Sequence, residues 1–289
     1  MKFLTDWIEN WIRELLINGI MGNLGGLFDN VNAQVGGIAG MVGMTPGAFN
    51  PGVFALIRTL SETVVLPIAG LLFTFVMTYE LIQLIIDRNN LHEVDTWMFF
   101  KWVFKTFIAV LILSNTFNIV MGIFDLSQQV VNNAAGVISG NTNITPGMMA
   151  TLRAQLSQME TGPLLGLWLQ SFLIQIIVLA LNIVVFVIVY GRLIEIYLLT
   201  SLAPLPMATL TNREMSGMGQ NYLKSLLAVG FQGLLIMVCV AIYAVLVQSI
   251  AINGNPIGAI WSAIGYTVLL CFSLFKTGSL AKSVFGAHV

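Results

Sequence analysis

Charged residues are scarce in this sequence. Only 9% of its 289 residues are Asp, Glu, Lys or Arg, against about 25% in soluble domains. The formal net charge of −1 gives no indication of bulk attraction to nucleic acid. Only two cysteines occur, Cys239 and Cys271, both inside apolar runs. They read as small packing residues and make no disulfide framework. The two histidines, His92 and His288, lie in separate polar segments and form no ligand cluster. Walker, HExxH and G-x-S-x-G patterns are missing, and so are paired carboxylates at a useful spacing. The expectation is a protein with no enzymatic activity, no cofactor and no metal. The opening run MKFLTDWIENWIRELL carries Lys2, Asp6, Glu9, Arg13 and Glu14 within its apolar residues. It therefore lacks the clean apolar core of a secretory signal, and insertion is expected to rest on internal spans.

What is present is long and apolar. Leu164 to Tyr190 runs 27 residues without a charge, roughly 40 Å as a helix against a hydrocarbon core of about 30 Å. Ser225 to Phe275 is also free of charge and divides at Asn253-Gly254-Asn255-Pro256. Further spans are expected over Val64–Ile86, with a helical extension from about Val53, and over Thr106–Phe124. The fold class is all-α: a polytopic bundle of about five transmembrane helices, with an amphipathic N-terminal helix and a Pro-broken cytoplasmic or re-entrant segment.

The chain divides into four regions. Residues 1–52 hold the amphipathic helix and a Gly-rich external region. Residues 53–124 hold the first two spans, 125–163 form an external central loop, and 164–289 hold the remaining spans with a cytoplasmic segment, 191–224, and a cytoplasmic C-terminus. In residues 3–18, Leu4, Trp7, Ile8, Trp11, Ile12, Leu15 and Leu16 fall on one helical face. Trp7, Ile8, Trp11, Ile12 and Leu15 are candidate lipid contacts at the membrane surface; packing on a partner protein is the other reading. Residues 19–52 carry ten glycines and read as short, tightly packed helices and turns, ended by Thr45-Pro46-Gly47 and Asn50-Pro51-Gly52. Five spans put the larger share of Lys and Arg on the side of the C-terminus. The positive-inside rule then places the N-terminus outside and the C-terminus inside.

The ionisable residues expected within the membrane are Glu80 and the Arg192–Glu195 pair. Arg192 and Glu195, three apart on one helical face, can neutralise each other. Glu80 either pairs with Lys101 or Lys105, reaches the interface, or faces a watery path. Pro204 and Pro206 break the helix that Gly191 opens. Asn115, Asn118, Gln170, Gln175, Asn182, Gln232 and Gln248 are polar residues in or near spans, serving either as interhelical hydrogen-bond glue or as a conduit stripe. Asn143-Ile144-Thr145 matches a glycosylation sequon, which chance also produces.

The stretch GRLIEIYLLTSLAPLPMATL (191–210), the polar Gly-Met-Gly patch at 217–219, and the span–loop–span layout around them resemble one family. It is the TrbL-like polytopic inner-membrane subunit of type IV secretion systems, equivalent to the sixth VirB subunit. The Gly-rich portion ending in MTPGAFNPG is similar to versions from Gram-positive conjugative elements. The resemblance implies a multi-pass protein of the bacterial cell membrane in the export of DNA and relaxase. It also implies a ring-like homo-oligomer such as a pentamer, and partners that include a bitopic assembly factor, a small membrane subunit, a hexameric ATPase and the coupling ATPase. A solute channel or secondary transporter with its site on a broken helix is the competing class, and a membrane insertase a third.

Overall fold

The structure is a computed structural model and describes residues 2–86, 96–139, 146–252 and 256–287. Apolar runs of this length can satisfy their backbone groups inside a bilayer only as helices or closed barrels. Helices are what form, and no strand occurs among the described residues. In chain order they are α1 (Lys2–Val42), α2 (Pro46–Phe49), α3 (Pro51–Leu60), a π-helical turn (Ser61–Val65), α4 (Leu66–Ile86), α5 (Thr96–Ser114), α6 (Thr116–Ser139), α7 (Pro146–Leu156), α8 (Thr161–Leu202), α9 (Pro204–Thr209), α10 (Ser216–Ile252) and α11 (Pro256–Phe285). Five helical stretches are long and apolar enough to cross a membrane: Pro51–Ile86, Thr96–Ser114, Thr161–Leu202, Ser216–Ile250 and Ile257–Phe285. The protein is therefore an all-α, multi-pass membrane protein.

The described helices differ from the sequence reading in four places. Residues 19–42 are not short pieces; they continue α1 as one helix of 41 residues. The glycines are tolerated because every fourth or third position between them is large and buried, namely Ile20, Leu24, Leu27 and Phe28, so packing outweighs propensity. The expected turns at Thr45 and Asn50 are helix starts. Thr45 Oγ1 accepts from the Ala48 N–H at 3.1 Å and Asn50 Oδ1 from the Val53 N–H at 3.0 Å, each with proline in the first turn. The second span begins at Thr96, ten residues before the expected Thr106, and stops at Ser114. Lys101 lies over the Trp97 ring at 5.6 Å and Lys105 pairs with Glu80, so neither cation ends the helix. At the other end Asn115 Nδ2 bonds back to the Leu111 carbonyl at 2.9 Å and Thr116 Oγ1 to that of Leu113 at 2.8 Å, which competes with the helical ladder. Much of 125–163 is helical, as the second half of α6 and as α7. Residues 87–95, the sequon at 143–145 and residues 253–255 lie outside the described residues.

The chain forms two compact units. One comprises residues 1–43, 130–190 and 234–277; the other comprises 44–129, 191–233 and 278–289.

In the first unit, α1 runs beside and parallel to α8. Glu9 accepts from Thr161 Oγ1 at 3.3 Å, Asn23 Nδ2 donates to Ser171 Oγ at 2.7 Å, Gln175 Nε2 donates to Asn23 Oδ1 at 3.4 Å, and Asn30 Nδ2 donates to Asn182 Oδ1 at 3.3 Å. Both residue numbers rise together, so the pairing is parallel and in step. A Cβ at Gly19 would stand 2.4 Å from Trp168 Nε1; here only glycine lets the helices approach. Arg13 Nη2 donates to the carbonyls of Ser157 and Met159 at 2.7 Å each, and Glu14 pairs with Arg153 at 3.2 Å. These bonds tie the polar side of the first turns to the α7–α8 connection.

In the second unit, Ala69, Phe73 and Met77 of α4, Ala109 and Leu113 of α5 and Ala208 of α9 form an apolar core. Ser61, in the π-helical turn, is buried and donates to the Thr200 carbonyl at 3.4 Å.

Candidate functional site: a broken-helix groove with a buried arginine

The break at Ala203 arises from proline chemistry. Pro204 cannot donate to the ladder of α8, and Pro206 extends the interruption, so the chain restarts as the short helix α9. The polar turn that follows is held by Asn212, whose Oδ1 accepts from the backbone N–H groups of Glu214 and Met215 at 2.9 Å each. The chain then returns in α10. Gly219 lies so near the break that a Cβ there would stand 2.8 Å from the Pro206 carbonyl oxygen and 2.9 Å from Leu210 Cα. The polar patch after the prolines is thus a close-packing point.

Between the end of α8, α9 and the start of α10 lies a groove of about 490 Å³. Leu198, Leu202, Leu205, Pro206 and Met218 give it apolar walls, and Glu195, Asn221, Tyr222 and Ser225 supply polar groups. Its size falls within the range of small-molecule sites. Tyr222 donates to the Leu199 carbonyl at 2.9 Å, fixing one wall.

Arg192 is 2% exposed. Its Nε donates to the Val229 carbonyl at 2.9 Å and its Nη2 to that of Gly230 at 3.0 Å. A guanidinium clamped on helical carbonyls fixes α8 to α10 in this unit with charge-assisted bonds. Gly230 also lets α6 approach α10 closely, since a Cβ there would stand 2.5 Å from Ser127 Oγ. Arg192 and Glu195 were expected to neutralise each other. Glu195 instead pairs with Lys282 of α11 at 3.0 Å. The correction has a simple cause: Arg192 turns inward to α10, while Glu195, one turn on, faces the groove. Glu80, in α4, is bonded to Lys105 of α5, one of the partners named for it from the sequence.

The other candidate residues fall elsewhere. Trp7, Ile8, Trp11 and Leu15 form an exposed stripe at the start of α1, with Ile12 half-buried beside it. Glu195 and Pro206 share the groove, whereas Glu80 and Arg192 do not line it. Tyr222, Asn212, Lys282 and the cluster of Tyr79, Gln83 and Glu214, joined by a 2.7 Å Gln83–Glu214 bond, were not singled out from sequence. Their long separation along the chain gave no local signal. Among the described residues no group of His, Cys, Asp and Glu is placed to hold a metal.

The family model described as TrbL/VirB6 plasmid conjugal transfer like protein matches residues 31–204, from the last third of α1 to the proline break. The chain belongs to the TrbL/VirB6 family. Neither the curated proteins nor the solved structures contain a match. Membership makes this chain a component of a type IV secretion or conjugal transfer machine that works with other subunits. The family match spans Glu80, Arg192 and Glu195 and stops at Pro204, so the groove straddles its end.

Proposed function

We propose that the protein is a non-catalytic channel or assembly-platform subunit of a conjugation machine in the bacterial cell membrane, helping DNA with its bound relaxase across. The observation that carries this reading is the TrbL/VirB6 match over 31–204 in a chain with five apolar helices. Energy comes from separate ATPases, consistent with the missing nucleotide and nucleophile motifs. The subunit works as a ring-like homo-oligomer, such as a pentamer, with a bitopic assembly factor and the coupling ATPase as neighbours. Its N-terminus lies outside and its C-terminus inside, as the Lys and Arg distribution favours. Contact with DNA is by passage, since the net charge of −1 gives no bulk attraction to nucleic acid.

The test is formaldehyde cross-linking in mating donor cells, immunoprecipitation of this protein and PCR for the transferring DNA. The reading predicts recovered DNA that depends on the coupling ATPase, and loss of plasmid transfer with normal growth when the gene is deleted. Unchanged transfer after deletion, or ion flux through the purified protein in liposomes with no DNA recovered, would move it to the transporter class.

A further inference from the structure

Three long helical runs that pass through the second unit are interrupted there, and the interruptions meet. The run Pro51–Ile86 contains the π-helical turn, where the Leu66 N–H bonds back five residues to the Ser61 carbonyl. The run from Thr96 is broken at Asn115, whose N–H is shared between the Leu111 and Ile112 carbonyls at 3.2 Å each. The run from Thr161 is broken at Ala203 by Pro204. Ser61, Leu113, Ser114, Thr116, Phe117 and Pro204 line one small cavity of about 10 Å³, so the three breaks lie side by side. Helices bend sharply at proline and at π-helical turns, and π-helical turns concentrate at functional sites.

The hydrogen bonds that close the proline break are long. Without an N–H on Pro204, the Thr200 carbonyl loses its donor four residues on. It accepts instead from the Ala203 N–H at 3.3 Å and from Ser61 Oγ at 3.4 Å, both at the weak end of the hydrogen-bond range. On either side of this joint the packing is firm. After it, α4, α5 and α9 share the core of Ala69, Phe73, Met77, Ala109, Leu113 and Ala208, and Gln83 bonds to Glu214 at 2.7 Å. Before it, Tyr197 donates to the Pro46 carbonyl at 2.7 Å, Phe54 meets Phe117 edge to face at 5.5 Å, and Arg192 clamps α8 on α10. Helix α10 passes without a break from Gly219, against Pro206 and Leu210, to Gly230, against Ser127. The groove of about 490 Å³ straddles the joint, with Leu198 and Leu202 before it and Leu205 and Pro206 after it. Close-packed helices have no room to shift; an open groove beside a break provides it.

We infer that the second unit is hinged at Ser61, Asn115 and Pro204, with α10 as the pivot. The block of α4, α5 and α9 swings against the block formed by α3, the start of α6 and the end of α8, and the groove widens or narrows as it does so. The bond from Ser61 to the Thr200 carbonyl is the catch that holds the present conformation. The hinge follows from the geometry of this unit and does not depend on the conjugation role.

The test uses the full-length protein in lipid nanodiscs, with Cys239→Ala and Cys271→Ala and spin labels on paired cysteines. Ile82 of α4 and Ile194 of α8 are exposed and lie on opposite sides of the joint. Ile82 and Leu111 of α5, also exposed, lie on the same side and serve as the control pair. Pulsed dipolar spectroscopy reads the distance distribution of each pair. The hinge predicts a broader distribution across the joint than in the control. Ser61→Ala, which removes the catch, should broaden the cross-joint distribution further. Pro204→Ala, which returns an N–H to the Thr200 carbonyl, should narrow it. Substitutions that only loosened the fold would broaden it in both variants. Ser61→Ala keeps the proline, so it carries the test alone if Pro204→Ala does not fold. Equal widths for the two pairs, a cross-joint distribution unmoved by Ser61→Ala, or one broadened by Pro204→Ala would overturn the hinge.

Discussion

Helices α1 and α8 lie side by side in one unit, in step over some twenty residues, yet their exposed surfaces share almost no chemistry. Along 164–190, α8 exposes mostly Leu, Ile, Phe and Val, with Gln175 and Ala180 among them. Along 18–40, α1 shows glycine, alanine, asparagine and Asp29. The difference teaches that a helix too polar to count as a span can still pack in step along an apolar one when its own large side chains are buried and hydrogen bonds line the seam. The seam between the two, with Asn23, Ser171, Gln175, Asn30 and Asn182 in hydrogen bonds, supplies the polar contacts that hold such a pair together.

The largest expected effect comes from moving a charge from one face to the other. Ile176→Asp sets a carboxylate on the apolar face of α8 at a cost of about 2.5–3.5 kcal/mol in insertion, and membrane levels of the full-length protein on immunoblots should collapse. Gly36→Asp on α1 should leave them near wild type. Equal loss in both variants would erase the distinction between the faces.

Arg192→Leu in the second unit is expected to cost roughly 2–3 kcal/mol, through loss of two charge-assisted bonds to the Val229 and Gly230 carbonyls. A lowered thermal midpoint of the detergent-solubilised protein checks it. Gly19→Leu should cost about 1–3 kcal/mol by overpacking against Trp168, whereas Gly22→Ala, with open space at its Cβ, should be neutral. Thermal midpoints of this pair sharpen the assigned register: similar shifts in both would place the α1–α8 seam elsewhere. Lys282→Ala gives the smallest effect. Both side chains of its pair with Glu195 are partly exposed, 29% and 38%, so the loss should lie within about 1 kcal/mol.

The apolar stretch of α8, the break at Pro204 and Pro206, and the pairing of Glu80 with a nearby lysine were legible because each is local or depends on hydrophobic length. What stayed hidden depends on partners far along the chain. Glycines at 19, 22, 25 and 26 read as breakers until the large residues between them are buried. Arg192 reads as the natural mate of Glu195 at a spacing of three, and only the arrival of α10 and α11 separates them. Lys101 and Lys105 mark a helix end until aromatic and acidic neighbours absorb them. In each case tertiary contact overrides a correct local preference.

The most direct measurement is disulfide formation in the full-length protein carrying Cys239→Ala and Cys271→Ala, with one cysteine placed on each helix. Asn23→Cys with Ser171→Cys, at a pair whose side chains meet at 2.7 Å, should cross-link within the monomer. Asn23→Cys with Asn182→Cys, set further along α8, should not. Cross-linking of the second pair in place of the first, or of neither, would mean that α1 does not run in step along α8, and the account of a polar helix packed on an apolar one would fail.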